Sequence, residues 1–490
     1  MFTRRGFIGR VASAFSLAVA GVMRAPGAIA ASVASGLNRI GGMVIRRGDD
    51  NYELWRGSMV WYIFKPDRRP DVIIRAKSEQ DAIGAVTYAR EEGLKVATRA
   101  TGHNPARGCL RQGGVLLDMS QLREVEVDAE AGTAWIGPGI GSEDLVELLG
   151  EYGWCFPAAH TGIVGMGGYV IGGGMGWNMQ EWDVACRSII GAEVVTADGQ
   201  KVITSATENP ELLWAIRGAG PGFFGAVLRY KLKLFPAPQA IIKSKYLIPI
   251  DKLDAAFAAL WEITAAKQKQ LELLAVIGRF APPFDAPPEQ RDLVLAVSAI
   301  AFAKSREHGA KLLEPVARSA IPGLSMLKQE NAPLTFPELY TGQETDHASP
   351  NRTAVHNIWT DKPGEALSAL AELMQKTPPR SPRSFLLSAW GINPDPDDGD
   401  SCWSYQADHY VSWYQMAEKA EDIEPNFAWM DKSVELVRPF TRGYYINEVN
   451  PMRYPEVLEG TFGAAKWKRL GELRRKYDPA GVFHGYLGQT

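Results

Sequence analysis

From Asp71 to Leu234 the chain alternates short apolar runs with segments of mixed polarity. Asp71–Arg75 reads as a strand. Ser78–Glu92 carries its apolar positions at helical spacing, with Ser78 as the N-cap candidate and Gly93 as a stop. Asp81 stands at the capping-box position, where the longer Glu or Gln is preferred. Leu94–Thr98, Val115–Asp118 and Thr133–Ile136 read as further strands, and Ser142–Tyr152 as a helix. Ile189–Thr196 is strand-like and closes on the turn Ala197-Asp198-Gly199. Asn209–Arg217 is helical. In Ala226–Leu234, Tyr230, Leu232 and Leu234 alternate with Arg229, Lys231 and Lys233, the period of a strand with one buried face. Pro236 and Pro238 then break the pattern and mark a domain boundary.

Beyond that point the texture changes. Long helices are expected at Leu253–Gln270, Ala303–Glu314 and Pro363–Gln375. Separated strands are expected at Leu273–Phe280, Asp292–Ala301, Arg383–Trp390 and His409–Gln415, with loops at Pro282–Pro288 and Asn393–Asp400. This pattern predicts an antiparallel sheet backed by helices. Tyr444–Thr490 returns to glycine turns and a basic helix, Ala464–Tyr477, that closes against the first part. The fold class is therefore α+β, with one domain over 50–238, a substrate domain over 239–440 and a returning segment over 441–490.

The start of the chain reads differently. Arg4-Arg5 precede Gly6-Phe7-Ile8, an apolar run covers Val11–Met23, and small residues follow near Ala28–Ala30. This is the layout of a cleaved export signal over 1–31, and the paired arginines resemble the twin-arginine class. The apolar run is shorter than the roughly twenty residues a membrane span needs. A periplasmic or secreted protein without stable membrane insertion is expected. A net charge of −3 argues against nucleic acid as a partner. Cys109, Cys155, Cys186 and Cys402 form no CxxC pair, and the 7 histidines form no HExxH, so no metal is expected.

Chemistry concentrates in two places. Thr161–Gly176, TGIVGMGGYVIGGGMG, has 8 glycines in 16 positions. Glycine at that density serves a backbone that takes positive φ or passes very close to another body, such as a flat phosphate-bearing cofactor. Arg99–Asn104, RATGHN, sets His103 in a tight turn. No clean amphipathic helix follows Gly174, so a nicotinamide-binding Rossmann unit fits poorly. Trp359, Trp390, Trp403, Trp413 and Trp429 suggest a cleft for a flat or sugar-like ligand.

In order along the chain, Pro70-Asp71-Val72-Ile73, Arg99–Asn104, Val164–Gly168 with Gly172–Trp177, Glu193–Gly199, Trp214–Gly218, Gly443–Asn447 and Tyr477–Phe483 resemble the motifs of one family. It is the FAD-linked oxidases of the vanillyl-alcohol-oxidase superfamily, with a two-part PCMH-type FAD-binding domain, and in particular the berberine-bridge-enzyme-like group. The resemblance implies an FAD lying against Arg99, Thr101, Gly102, His103 and Asn104. It also implies contacts from Thr161, Gly162, Val164, Gly165, Gly168, Gly172, Gly173, Gly174, Val194, Tyr445 and Asn447. His103 would be bonded to the flavin 8α-methyl. Many members have a second anchor, a cysteine, and Thr161 stands there here, which implies a single link. Val164 stands where a small residue tends to admit oxygen.

The implied reaction moves a hydride from a C–H bearing OH or N to flavin while a base takes the neighbouring proton. Tyr445 in the C-terminal motif is one candidate base. Tyr414 is a second, on a strand that places Tyr410, Ser412 and Tyr414 on one face. Glu448 is a third, though it reads first as a solvated surface charge, and as part of a strand it would point opposite to Asn447, on the face of Ile446. Oxygen, giving hydrogen peroxide, is the expected acceptor. A dehydrogenase using a periplasmic electron acceptor and a flavin-free binding protein of the same fold remain as alternatives.

Overall fold

The computed structural model describes residues 36–280, 287–344, 349–392, 394 and 399–489. The export signal expected over 1–31 and much of the loops expected at Pro282–Pro288 and Asn393–Asp400 lie outside these residues.

Two small sheets build the first part. β1 (Met43–Arg46), β2 (Val72–Arg75), β3 (Val96–Arg99) and β4 (Val115–Asp118) run in the order β1-β2-β4-β3, with β2, β4 and β3 parallel. β5 (Val125–Asp128), β6 (Thr133–Ile136), β7 (Ile189–Val195), β8 (Lys201–Ser205) and β9 (Ala226–Lys233) form an antiparallel sheet in the order β5-β6-β9-β7-β8. Helix α1 (Glu79–Glu91) lies between them. Its Ala82, Ala85, Val86 and Ala89 are fully buried in one cluster with Ile74 and Leu117 of the first sheet and Val195 and Leu228 of the second. Ser78 caps it by accepting the Asp81 N–H at 3.3 Å. The short Asp81 carboxylate accepts instead from the N–H groups of Gly41 (2.7 Å) and Lys77 (3.0 Å), fastening the entering chain.

α2 (Ser142–Gly150) precedes the glycine-rich run, α3 (Met166–Ile171) lies within it and α4 (Met179–Trp182) follows it. The second part is a seven-stranded antiparallel sheet. Its strands are β10 (Ala240–Pro249), β11 (Leu271–Gly278), β12 (Val294–Ala303), β13 (Leu327–Leu334), β14 (Arg352–Thr360), β15 (Phe385–Ala389) and β16 (His409–Met416), in the order β13-β10-β12-β11-β15-β16-β14. The sheet thus starts just past the proline pair. Four helices pack on one face: α5 (Leu253–Ala266), α6 (Arg306–Arg318), α7 (Pro363–Lys376) and α8 (Ile423–Val437). Strand alternation sends Leu273, Ala275, Val297 and Trp413 toward them into the main core. The opposite face is left for the first part.

α9 (Val457–Tyr477) leads the chain back. Val96 and Val482 pair at 2.7 Å beside β3, and the Tyr486 hydroxyl donates to the Ala219 carbonyl at 2.5 Å. Among the described residues no helix is long and apolar enough to cross a membrane. All four cysteines are free thiols.

Candidate active site

A cavity of about 400 Å³ lies between the free face of the large sheet and the turns of the first part. Of the residues expected at a cofactor, Arg99, Thr101, Gly102, His103, Asn104, Thr161, Val164, Gly165, Gly168, Tyr445 and Asn447 line it, as do Tyr414 and Glu448.

The two motif turns are tied together directly. Gly102 takes φ +80°, and a Cβ there would sit 2.2 Å from the Met59 carbonyl oxygen, so only glycine allows the turn. Arg99 braces it. Its guanidinium donates to the buried Asp118 carboxylate (2.6 Å), the Met59 carbonyl (2.9 Å) and the Thr101 carbonyl (3.1 Å). Thr101 Oγ1 accepts the Gly165 N–H at 2.8 Å, which docks the glycine-rich run on the histidine turn. His103 stacks on Trp61 with ring centroids 4.8 Å apart. Burial, with Arg352 and Arg99 nearby, pushes its pKa down to about 3, so the ring is neutral at physiological pH.

Gly168 is exposed to the cavity with open space where a Cβ would stand. The triple glycine behaves otherwise. A Cβ at Gly172 would meet the Asn447 amide at 2.0 Å, at Gly173 the Trp403 ring at 2.1 Å, and at Gly174 the Ala185 methyl at 2.7 Å. Gly172, Gly173 and Gly174 are therefore small for their protein neighbours, and none is in the cavity wall. Gly162 packs on Glu143, and Val194 is buried in β7; both are also outside the wall. The five tryptophans expected at a ligand cleft are at most 5% exposed and none lines the cavity; their size serves the core.

Opposite the turns, three groups converge. Tyr410 and Tyr414 project from the same face of β16, and both hydroxyls donate to one oxygen of Glu448, Oε2, at 2.5 and 2.9 Å. Ser412 Oγ donates to the Tyr414 hydroxyl at 3.1 Å. The Arg352 guanidinium lies over the Tyr414 ring, 4.4 Å from its centroid. Glu448 is thus no surface charge. Ile446–Glu448 is a 3₁₀ turn and not a strand, so Asn447 and Glu448 both reach the cavity. Asn357 in β14 fixes that turn. It accepts the Tyr445 N–H at 2.7 Å and donates to the carbonyls of Tyr445 (3.0 Å) and Glu448 (3.1 Å).

Burial and the Glu448 charge hold Tyr410 and Tyr414 well above the usual phenol range, so each is a proton donor and neither is a phenolate base. Burial does the same to Tyr445. Its hydroxyl accepts from the Gly174 N–H (3.2 Å) and Asn447 Nδ2 (3.1 Å), which makes it a brace between the glycine run and the C-terminal turn. Of the three candidate bases, Glu448 alone has the chemistry to take a proton, and no hydrogen bond to its Oε1 occurs among the described residues.

Asn357, Arg352, Glu272, Lys243 and Gln180 were not anticipated from the sequence. Their strands or turns carry no motif, and what gathers them at one cavity is packing between segments far apart along the chain.

The histidine turn with its neutral imidazole, the open glycine cradle and the carboxylate–phenol cluster thus line one cavity. Residues 70–205 match the family model of an FAD binding domain. The chain is 28% identical over 426 residues to FAD-linked oxidoreductase nodO of Hypoxylon pulicicidum, covering 86% of this chain and 92% of that protein. It is 36% identical to (R)-6-hydroxynicotine oxidase of Paenarthrobacter nicotinovorans over 178 residues, 36% of this chain and 38% of that protein. Its fold matches the crystal structure of 6-hydroxy-D-nicotine oxidase from Arthrobacter nicotinovorans with a TM-score of 0.79 at 21% identity, over 92% of this chain and 98% of that one. Berberine bridge enzyme from Eschscholzia californica matches with a TM-score of 0.77 at 18% identity, over 94% and 100%. The chain is an FAD-linked oxidoreductase with the berberine-bridge-enzyme-like fold.

Proposed function

We propose that this protein is an exported oxidase that converts a small-molecule alcohol or amine to its carbonyl or imine level, with FAD tethered once, through His103. The open cradle at Gly168 and the turn at Gly102 suit a flat ring system passing close to backbone. FAD supplies the hydride acceptor when bound. The Arg99–Asn104 turn, the Thr161–Gly168 loop and Asn447 would hold it. Thr161 cannot form the thioether of doubly linked relatives.

The chain's own residues manage the proton. Glu448 Oε1 takes it from the substrate OH or NH. Tyr410 and Tyr414 hold Oε2 by charge-assisted hydrogen bonds and fix the carboxylate's orientation. The nearby Glu448 charge in turn helps hold the Arg352 guanidinium protonated. The observation that carries the reading is the Tyr410–Tyr414–Glu448 cluster facing the same cavity as His103. Val164, small and at the cavity wall, supports oxygen as the acceptor. The twin-arginine pattern supports export to the periplasm or beyond. A panel of alcohols and amines, read by peroxide release from the purified yellow protein, tests this. Turnover with peroxide in step is expected; a panel that bleaches the flavin but yields no peroxide on aeration would transfer the reading to a dehydrogenase.

A further inference from the structure

The sheet floor of the cavity has two unlike ends. Cross-strand register places Lys243, Ile300 and Glu272 in one row, and Lys245, Ser298, Leu274, Ala389 and Tyr410 in the next. Lys243, Lys245 and Glu272 stand at one end, Tyr410, Tyr414 and Glu448 at the other, and Leu274, Val276 and Leu387 lie between. The charged end needs its own explanation.

Glu272 is 2% exposed and already satisfied, by His160 Nε2 and by the Asn178 N–H, each at 2.9 Å. The second bond draws the start of α4 onto the sheet and brings Gln180 to the same corner. Gln180 is 5% exposed, lines the cavity, and has no partner for either amide atom among the described residues. Leaving a buried amide unpaired is unfavourable, so such a group calls for a ligand or an ordered water. In the same cavity wall, burial and the neighbouring Lys245 push the Lys243 amine down to about 8, against the opposing pull of the Glu272 charge. Among the described residues neither lysine has a carboxylate within ion-pair distance. Two ammonium groups against one occupied carboxylate leave the corner positive, with idle donors.

From this we infer that the corner formed by Lys243, Lys245 and Gln180 anchors a carboxylate of the substrate. The inference rests on the reading that oxidation occurs at Glu448. β10 and β16 stand four strand intervals apart, roughly 19 Å at about 4.8 Å each. The substrate is therefore elongated: its carboxylate lies several carbons from the oxidised centre, and an apolar body covers Leu274, Val276 and Leu387.

Calorimetric titration of the holoprotein with 6-phenylhexanoate, its primary amide and benzoate tests this. The acid should bind at least tenfold tighter than the amide, and tighter than the shorter benzoate. Lys243→Met and Gln180→Leu should each reduce the acid-over-amide preference to under threefold, while Lys243→Arg should keep it. Equal binding of acid and amide by the wild type, or a preference surviving in both Lys243→Met and Gln180→Leu, would overturn the subsite. Glu448→Gln separates the two readings. It should bind the acid normally; full oxidase activity in it would refute the proposed base and leave the anchor standing.

Discussion

Replacing Glu448 by Gln isolates the proton-accepting role. Gln has nearly the same shape, and its amide oxygen can still accept from Tyr410 and Tyr414, which reach Glu448 at 2.5 and 2.9 Å. The turn held by Asn357 is untouched, because Asn357 bonds only backbone there. What disappears is a group able to take a proton. A positioned general base contributes about 10²–10⁴-fold, or about 2.7–5.4 kcal/mol at 1.36 kcal/mol per decade. The rate of flavin bleaching in anaerobic stopped flow, at saturating substrate, should fall by that factor with flavin content unchanged. Tyr414→Phe removes one hydrogen bond to a charged acceptor, about 1.5–3 kcal/mol, and should slow bleaching by about 10–100-fold. The order matters: Glu448→Gln must be the slower of the two. A Glu448→Gln enzyme that bleaches within threefold of wild type would refute the assignment.

Gly102→Ala forces a side chain to φ +80° and against the Met59 carbonyl; a loss of about 2–4 kcal/mol is expected in chemical denaturation, together with poor flavin retention. His356 is buried among Trp413, Tyr444 and Tyr454, neither ring nitrogen has a hydrogen-bond partner among the described residues, and burial lowers its pKa to about 3. The unfolded chain protonates this ring near pH 6.5, so between about pH 6.5 and 3 it binds the extra proton, and folding stability falls as pH falls, by up to about 1.4 kcal/mol per unit from this group. His356→Phe should flatten stability against pH across that window, and an unchanged slope would remove His356 as a cause. Val164→Leu should slow aerobic reoxidation of the reduced flavin at least tenfold while leaving its anaerobic reduction unchanged, as read by stopped flow.

Local signals were legible in the sequence. The helix after Ser78 emerged as expected because spacing, cap and stop all lie within one stretch of chain. β10 and β14 did not. Arg352–Thr360 is buried along nearly its whole length, so it shows no alternation of apolar and polar positions. The glycine density around Gly172–Gly174 correctly signalled close approach, but the approaching bodies are Trp403 and Asn447, more than two hundred residues away along the chain. Glu448 read as a surface charge because its partners, Tyr410 and Tyr414, reach it only once β16 is packed beside the returning C-terminal turn. Charge and size are visible in a sequence; the cavity that gives them a use is a product of long-range pairing.

The most direct test of a tethered flavin is the intact mass of acid-denatured protein, purified after export, taken for wild type and for His103→Ala. Wild type should carry the added mass of one FAD and stay yellow in the precipitate, and His103→Ala should give the bare polypeptide mass. A wild-type polypeptide with no added mass would contradict the tether, and a colourless native protein would contradict the flavin site itself.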